Sequence, residues 1–180
     1  MFYCIDFEST GAVNGQEPLE FAWVQIDING NIGNHHEVGF TGVTGGRNLS
    51  DIEIKVPHFR DCWPTLKESL FNKVLVGHNI NYDYSLILKT FPAFQNSGLI
   101  DTLTVYRQLY GEQLPDYSLE SLLRAFQLDK KLDNLALNDH FEPHRALYDA
   151  YGCALLLQKL LQDPATSVLF RDDSQGELGI

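Results

Sequence analysis

The stretch Phe2-Tyr3-Cys4-Ile5-Asp6-Phe7-Glu8-Ser9-Thr10-Gly11 is an apolar run that ends in two acids and a turn. Its aromatic and aliphatic residues suit a β-strand, and Thr10-Gly11 sends the chain sharply away. Residues two apart on a strand point to the same face. Asp6 and Glu8 should therefore lie side by side against a sheet. Two adjacent anions there are costly unless something cationic sits between them, and a divalent metal is the simplest answer. Taken alone, the pair reads equally as a strand end with two solvated acids.

Working outward, Glu20 to Ile28 (EFAWVQIDI) reads as a second strand, Asn29-Gly30 as a hairpin turn, and His35 to Thr41 as a third strand. The chain opens as an antiparallel meander. Thr41 to Lys55 reads as a loop. Pro64 to Phe71 suits a short helix opened by its proline. Lys73 to Gly77 is a short apolar strand that runs into His78-Asn79-Ile80-Asn81-Tyr82-Asp83 and a helix from Tyr84 to Leu88. Asp83 falls near that helix start, a common place for a capping or first-turn acid. Leu99 to Thr102 reads as a strand end entering a helix, Leu103 to Tyr110. Ser118 caps another, Leu119 to Phe126. Asp129 to Phe141 reads as polar and loop-like. A last helix opens at Pro143, keeps apolar helical spacing to Leu161, and stops at Pro164. This order predicts an α/β fold: a mixed five-stranded sheet, built from the meander and βα units, with helices packed on it. Residues 1–163 form one domain and 164–180 a polar C-terminal tail.

The chain has 180 residues, enough for one domain with a real core. Apolar residues make up 44% and charged residues 21%, both ordinary for a soluble protein. No run is long enough to span a membrane and no signal-peptide pattern opens the chain, so a cytoplasmic location is expected. Cys4, Cys62 and Cys153 include no C-x-x-C pair and read as reduced thiols, mostly buried. His35, His36 and His58 have no second ligand at metal-like spacing. The formal net charge of -11 argues against a broad phosphate footprint on long nucleic acid. Lys130, Lys131 and Arg124 are too few for a basic patch. Neither observation opposes a chain end held in a metal-lined pocket.

The last helix carries His144-Arg145-Ala146-Leu147-Tyr148-Asp149. Five residues rotate a helix by about 140° beyond a full turn. His144 and Asp149 can share a centre only if His144 lies at an irregular helix start, where Pro143 puts it. Taken together, D-x-E-x-T-G at Asp6 to Gly11, H-N-x-x-Y-D at His78 to Asp83, Asp101-Thr102, Tyr117-Ser118-Leu119 and H-R-A-L-x-D-A at His144 to Ala150 resemble the DEDDh exonucleases. The resemblance covers residues 1 to 161. It implies a ribonuclease-H-like fold, with Asp6, Glu8, Asp83 and Asp149 as metal-binding acids and His144 as general base. A sister group uses Tyr four residues before the final Asp; Arg145 stands there instead. The resemblance also implies that Thr10-Gly11 holds the 3′-terminal nucleotide. Phe7, Phe21 and Tyr82 are aromatic candidates for stacking on bases, with Asn79 a further substrate contact. Two departures are Ser9, where Thr is frequent, and Arg47 to Lys55, which replaces an H-G-I-T-like segment.

The chemistry matches this inventory. Phosphodiester hydrolysis needs an activated water and a stabilised leaving oxyanion, and two divalent ions about 4 Å apart serve both. Carboxylates suit Mg²⁺, with Mn²⁺ as substitute. An imidazole with an ordinary pKa near 6.5 takes a proton near neutral pH. The expected activity is 3′→5′ hydrolysis of single-stranded DNA or RNA 3′ ends, releasing nucleoside 5′-monophosphates. Three alternatives stand beside it. One is an aspartyl-phosphate phosphatase, which the D-x-E spacing fits poorly and which leaves His144 unused. Another is a nuclease-like binding module, since fold alone does not guarantee activity. The third is a proofreading subunit active with a DNA polymerase. Either that polymerase or a second copy in a homodimer would be the protein partner, and no residue pattern points to one of them.

Overall fold

The computed structural model describes residues 1–10, 17–40, 58–139, 141–142 and 145–170. Five strands form one sheet: β1 (Phe2–Ser9), β2 (Pro18–Ile26), β3 (Ile32–Gly39), β4 (Val74–Gly77) and β5 (Gly98–Asp101). Their order is β3-β2-β1-β4-β5. The first three are antiparallel, and β4 and β5 add parallel to β1. This is the mixed sheet that the sequence predicts. The β2–β3 turn follows its Asn-Gly signal: Gly30 takes φ 82°, and the Asp27 carboxylate accepts the Asn29 and Asn31 N–H groups, both at 2.8 Å.

The helices are α1 (Trp63–Leu70), α2 (Ile80–Thr90), α3 (Thr102–Tyr110), α4 (Leu119–Ala125), α5 (Asp129–Asp139), α6 (Ala146–Gln162) and α7 (Pro164–Ser167). They cover both faces of the sheet. On one side Tyr3, Ile5 and Phe7 of β1 join Leu66 and Leu70 of α1 and Ile87 of α2. On the other, Phe2 and Cys4 pack with α3 to α6, and Leu122, Leu132 and Leu155 are fully buried there. α6 is apolar almost all round because it is the central helix of that layer.

Three expectations change. Residues 129–139 are helical, not loop. Their polar composition hides a short apolar stripe, Leu132, Leu135 and Ala136, that faces the core. The last helix begins at Ala146, three residues after the expected start, with Arg145 as an extended N-cap at φ -123° and ψ 153°. Residues 164–170, expected within the tail, are folded. After Pro164 the chain turns through α7 and a short 3-10 turn, Val168–Phe170, and the Phe170 ring packs edge-on against Phe2. Buried Ser167 and Phe170 tie this segment to the core. The 41–55 loop, Pro143 and the tail beyond residue 170 lie outside the described residues. All three cysteines are free thiols, and Cys4 and Cys153 are buried as expected.

Candidate active site

Register explains where the acids come to lie. β1 pairs with β4 only from Phe2 to Cys4, while its pairing with β2 continues to Ser9. Beyond Cys4 the strand edge facing β4 is open, at the point where the sheet changes from antiparallel to parallel. Clefts of α/β sheets form at such places, beyond the carboxyl ends of strands. Asp6 and Glu8 project there, on the face that carries Phe2 and Cys4 further down. The first turn of α6 brings Asp149 to the same face. One carboxylate oxygen each from Asp6, Glu8 and Asp149 falls within 4.8 Å of the others.

Asp83 enters from the open edge. It lies in the first turn of α2, is buried, and its Oδ1 accepts the Phe7 N–H at 3.1 Å, a donor that sheet pairing no longer uses. α2 can start this close to β4 because Gly77 ends the strand. A Cβ at Gly77 would stand 2.6 Å from Ile80 Cδ1. Asn79 then takes the left-handed φ of 71°, tolerable for Asn, and its N–H donates to Asp101 Oδ1 at 2.8 Å. That same carboxylate caps α3 through the Leu103 N–H at 3.0 Å. His78, half-buried, spans Thr102 Oγ1 (3.0 Å) and the Tyr117 carbonyl (2.8 Å). The second contact makes Nε2 the protonated nitrogen, because a carbonyl only accepts. The H-N-x-x-Y-D segment thus knits the ends of β4 and β5 to the turn before α4.

Burial and mutual repulsion make ionised carboxylates costly in this cluster. Burial pushes the Asp6 carboxyl well above the usual range, and the Asp83, Asp149 and Glu8 charges push it further. Burial raises Asp83 to about 7, against the stabilising Phe7 N–H. Hard oxygen donors at this spacing suit a small divalent ion, whose charge would relieve the repulsion. Asp6, Glu8 and Asp149 fit as a shared ligand set, and Asp83 stands beside them. A cleft of about 390 Å³ opens next to Asp149, between Ser118, Leu119, Arg124, Asp133 and Tyr148.

The other expected site residues divide. Thr10 closes its turn against Glu17, exchanging backbone N–H for Oγ1 and carbonyl partners, each at 3.0 Å. Tyr82 is half-buried, and its hydroxyl bonds Ser9 Oγ. Asn79 is exposed at the start of α2. Phe7 and Phe21 are corrections. They face the opposite side of the sheet from the acids, ring centroids 4.3 Å apart and sealed by Phe59, so neither presents a surface for a base. The two-residue period that aligns Asp6 with Glu8 turns Phe7 away. Gly11 and His144 lie outside the described residues. Sequence reasoning missed Glu20. It stands directly opposite Glu8 across the β1–β2 pair and binds Arg145. The β1–β2 register shifts between Glu8 and Ser9, so the sequence carries no count that sets Glu20 opposite Glu8.

No family model matches the chain. It is similar to a DNA polymerase III PolC-type of Bacillus subtilis (strain 168), with 28% identity over 150 residues, covering 79% of this chain and 9% of that protein. It is also similar to the 3'-5' exonuclease DinG of Staphylococcus haemolyticus, with 26% identity over 170 residues, covering 88% of this chain and 18% of that protein. The chain thus spans less than a fifth of the curated relatives it matches. Among solved structures, exonuclease I superposes at a TM-score of 0.67 with 17% identity, over 94% of this chain and 43% of that one. Exonuclease I of E. coli with a dT13 oligonucleotide gives a TM-score of 0.63 at 17% identity, over 94% of this chain and 43% of that one. The fold of this chain is the ribonuclease-H-like fold of exonuclease I, with the acid cluster at the open end of its first strand.

Proposed function

We propose that this chain is a metal-dependent 3′→5′ exonuclease acting on single-stranded DNA or RNA ends. The observation that carries the reading is the convergence of Asp6, Glu8 and Asp149 within 4.8 Å, with buried Asp83 against the same strand. Its support from relatives is the 3'-5' exonuclease named above and the exonuclease I fold, which in E. coli is seen with a single-stranded oligonucleotide.

In this reading the four acids hold two divalent ions, Mg²⁺ or Mn²⁺ in its place. When bound, the ions polarise the scissile phosphoryl group and neutralise its charge. Thr10 and Gly11 hold the terminal nucleotide, and Tyr82 and Asn79 flank it. His144, which precedes α6, takes the proton of the attacking water on an imidazole nitrogen. The water oxygen bonds to phosphorus as the bond to the 3′ oxygen breaks. A nucleoside 5′-monophosphate leaves, and the 3′ oxygen of the shortened strand takes a proton from solvent to become a hydroxyl. The net charge of -11 suits a protein that holds one chain end through metal rather than a long duplex through phosphates. The test is a ladder assay with 5′-labelled single-stranded DNA and RNA in Mg²⁺, Mn²⁺ or chelator. Metal-dependent shortening from the 3′ end is expected. An Asp6→Asn protein that shortens the same strands at the wild-type rate overturns the reading.

Similarity to the PolC-type polymerase supports a second reading, in which the same chemistry serves a polymerase. Adding a DNA polymerase to the assay separates the two, because only the second requires it for activity.

A further inference from the structure

The start of α6 sets where Asp149 lies, and a side chain from a distant part of the chain holds that start. Arg145, the N-cap residue, makes no side-chain cap of its own. A helix start without one leaves N–H groups to be satisfied from elsewhere. Glu20 of β2 supplies the acceptor. Its Oε2 receives Arg145 Nε at 2.7 Å and the Ala146 N–H at 3.4 Å, while Oε1 meets the same guanidinium at Nη2. This is the two-pronged arginine–carboxylate geometry that fixes orientation as well as charge. Glu142 adds a longer contact to Arg145 at 3.5 Å.

The place of Glu20 gives the contact its meaning. It is paired across the β1–β2 ladder with Glu8, and cross-strand partners share a face. Glu8 and Asp149 therefore each sit next to one half of this ion pair: Glu8 across the strand from Glu20, and Asp149 one turn along from Arg145, whose carbonyl accepts the Asp149 N–H at 3.1 Å. The Glu20 side chain is 15% exposed and that of Arg145 42%, so the acid is fixed in the sheet and the arginine closes over it.

We infer that the Glu20–Arg145 pair is a positioning clamp, locking the first turn of α6 to the sheet so that Asp149 meets Asp6 and Glu8. Neither residue belongs to the group of acids whose oxygens converge, Asp6, Glu8 and Asp149. The inference rests on the proposed metal site. It deepens that reading by naming two residues that set the site's geometry.

The experiment measures Mn²⁺ binding by calorimetry, and kcat and KM on a single-stranded oligonucleotide, for wild type and four variants. Glu20→Gln and Arg145→Gln should each weaken Mn²⁺ binding about tenfold and lower kcat by about tenfold, the range seen when groups that orient metal ligands are lost. KM should stay within about twofold. Arg145→Lys, which keeps the charge, should recover part of both losses. The double variant should be no worse than either single one, because the two residues act as one unit. Wild-type Mn²⁺ affinity in Glu20→Gln overturns the clamp, whatever its melting temperature, and so does a double variant whose losses add. Arg145→Gln, at a half-exposed position, decides the matter should Glu20→Gln fail to fold. A wild type that binds Mn²⁺ but cleaves nothing removes the exonuclease reading, and the Mn²⁺ arm then tests the clamp by itself.

Discussion

β1 has two unlike faces. Tyr3, Ile5 and Phe7 are all buried in an aromatic and aliphatic layer that includes Phe21, Phe59 and Phe91. The other face begins the same way, with Phe2 and Cys4 under α6, and then changes to Asp6 and Glu8. The change falls where pairing with β4 ends. One face therefore carries packing along its whole length. The other carries packing below and repulsion above. The molecule places its electrostatic cost beside an open edge, where a cation and a substrate can enter, and backs it with a layer that contributes only burial.

Substitutions on the two faces should therefore separate chemistry from stability. Asp6→Asn should lower metal-dependent nucleotide release by about 10³-fold or more, the scale of losing a charged group that acts at the reacting centre. It should also raise the metal-free melting temperature by about 2–4 °C, because a buried repulsion is removed. A thermal melt and a ladder assay on one preparation check both. A lowered melting temperature would show that the acid face stabilises the apo fold.

On the opposite face, Phe21→Ala should cost about 3–5 kcal/mol by urea denaturation, since the ring is 1% exposed and packs between Phe7 and Phe59. The protein that remains folded should still bind Mn²⁺. Lost binding at full folding would mean that the faces are coupled.

The pH response follows from Asp83, held up at about 7 mainly by burial. The unfolded chain releases this proton near pH 4, so between about pH 4 and 7 the folded state binds more protons than the unfolded state. Metal-free stability should therefore fall as pH rises through this window, by roughly 2–4 kcal/mol from this group. Saturating Mg²⁺ should flatten the fall. Denaturation at pH 5 and pH 8, with and without the ion, measures it. Stability that rises over this interval would contradict the assignment.

The smallest effect concerns the end of β5, where Asp101 caps α3. Asp101→Ala removes the α3 cap, the Asn79 tether and a bond from Thr104 Oγ1, and should cost about 1–2 kcal/mol. If Asn79 matters for substrate, KM should rise more than kcat falls.

Local patterns were legible wherever one element contained the whole signal. The alternation along β1, the Asn-Gly turn before β3 and the Ser118 cap of α4 all stand where their residues predict. α5 was not legible, because its three core-facing residues are outnumbered by polar ones that cover its exposed face. The start of α6 is hidden from the sequence for another reason. Pro143 is a good first-turn residue, but the helix begins where Glu20 can receive the Ala146 N–H, and Glu20 is 126 residues away. By side-chain chemistry alone Phe7 and Phe21 suit base stacking, whereas the strand period turns Phe7 away from the acids and into the core with Phe21.

By itself, the sequence determined the opening meander, the mixed sheet and the placing of Asp6 and Glu8 on one face of β1, because periodicity and turn chemistry are short-range. Only the tertiary structure decided that the β1–β4 pairing stops at Cys4, which frees the Phe7 N–H for Asp83. It alone set Glu20 opposite Glu8 and brought Arg145 onto it. Those contacts join residues remote in sequence, and burial in the folded chain is what makes their charges cost or contribute.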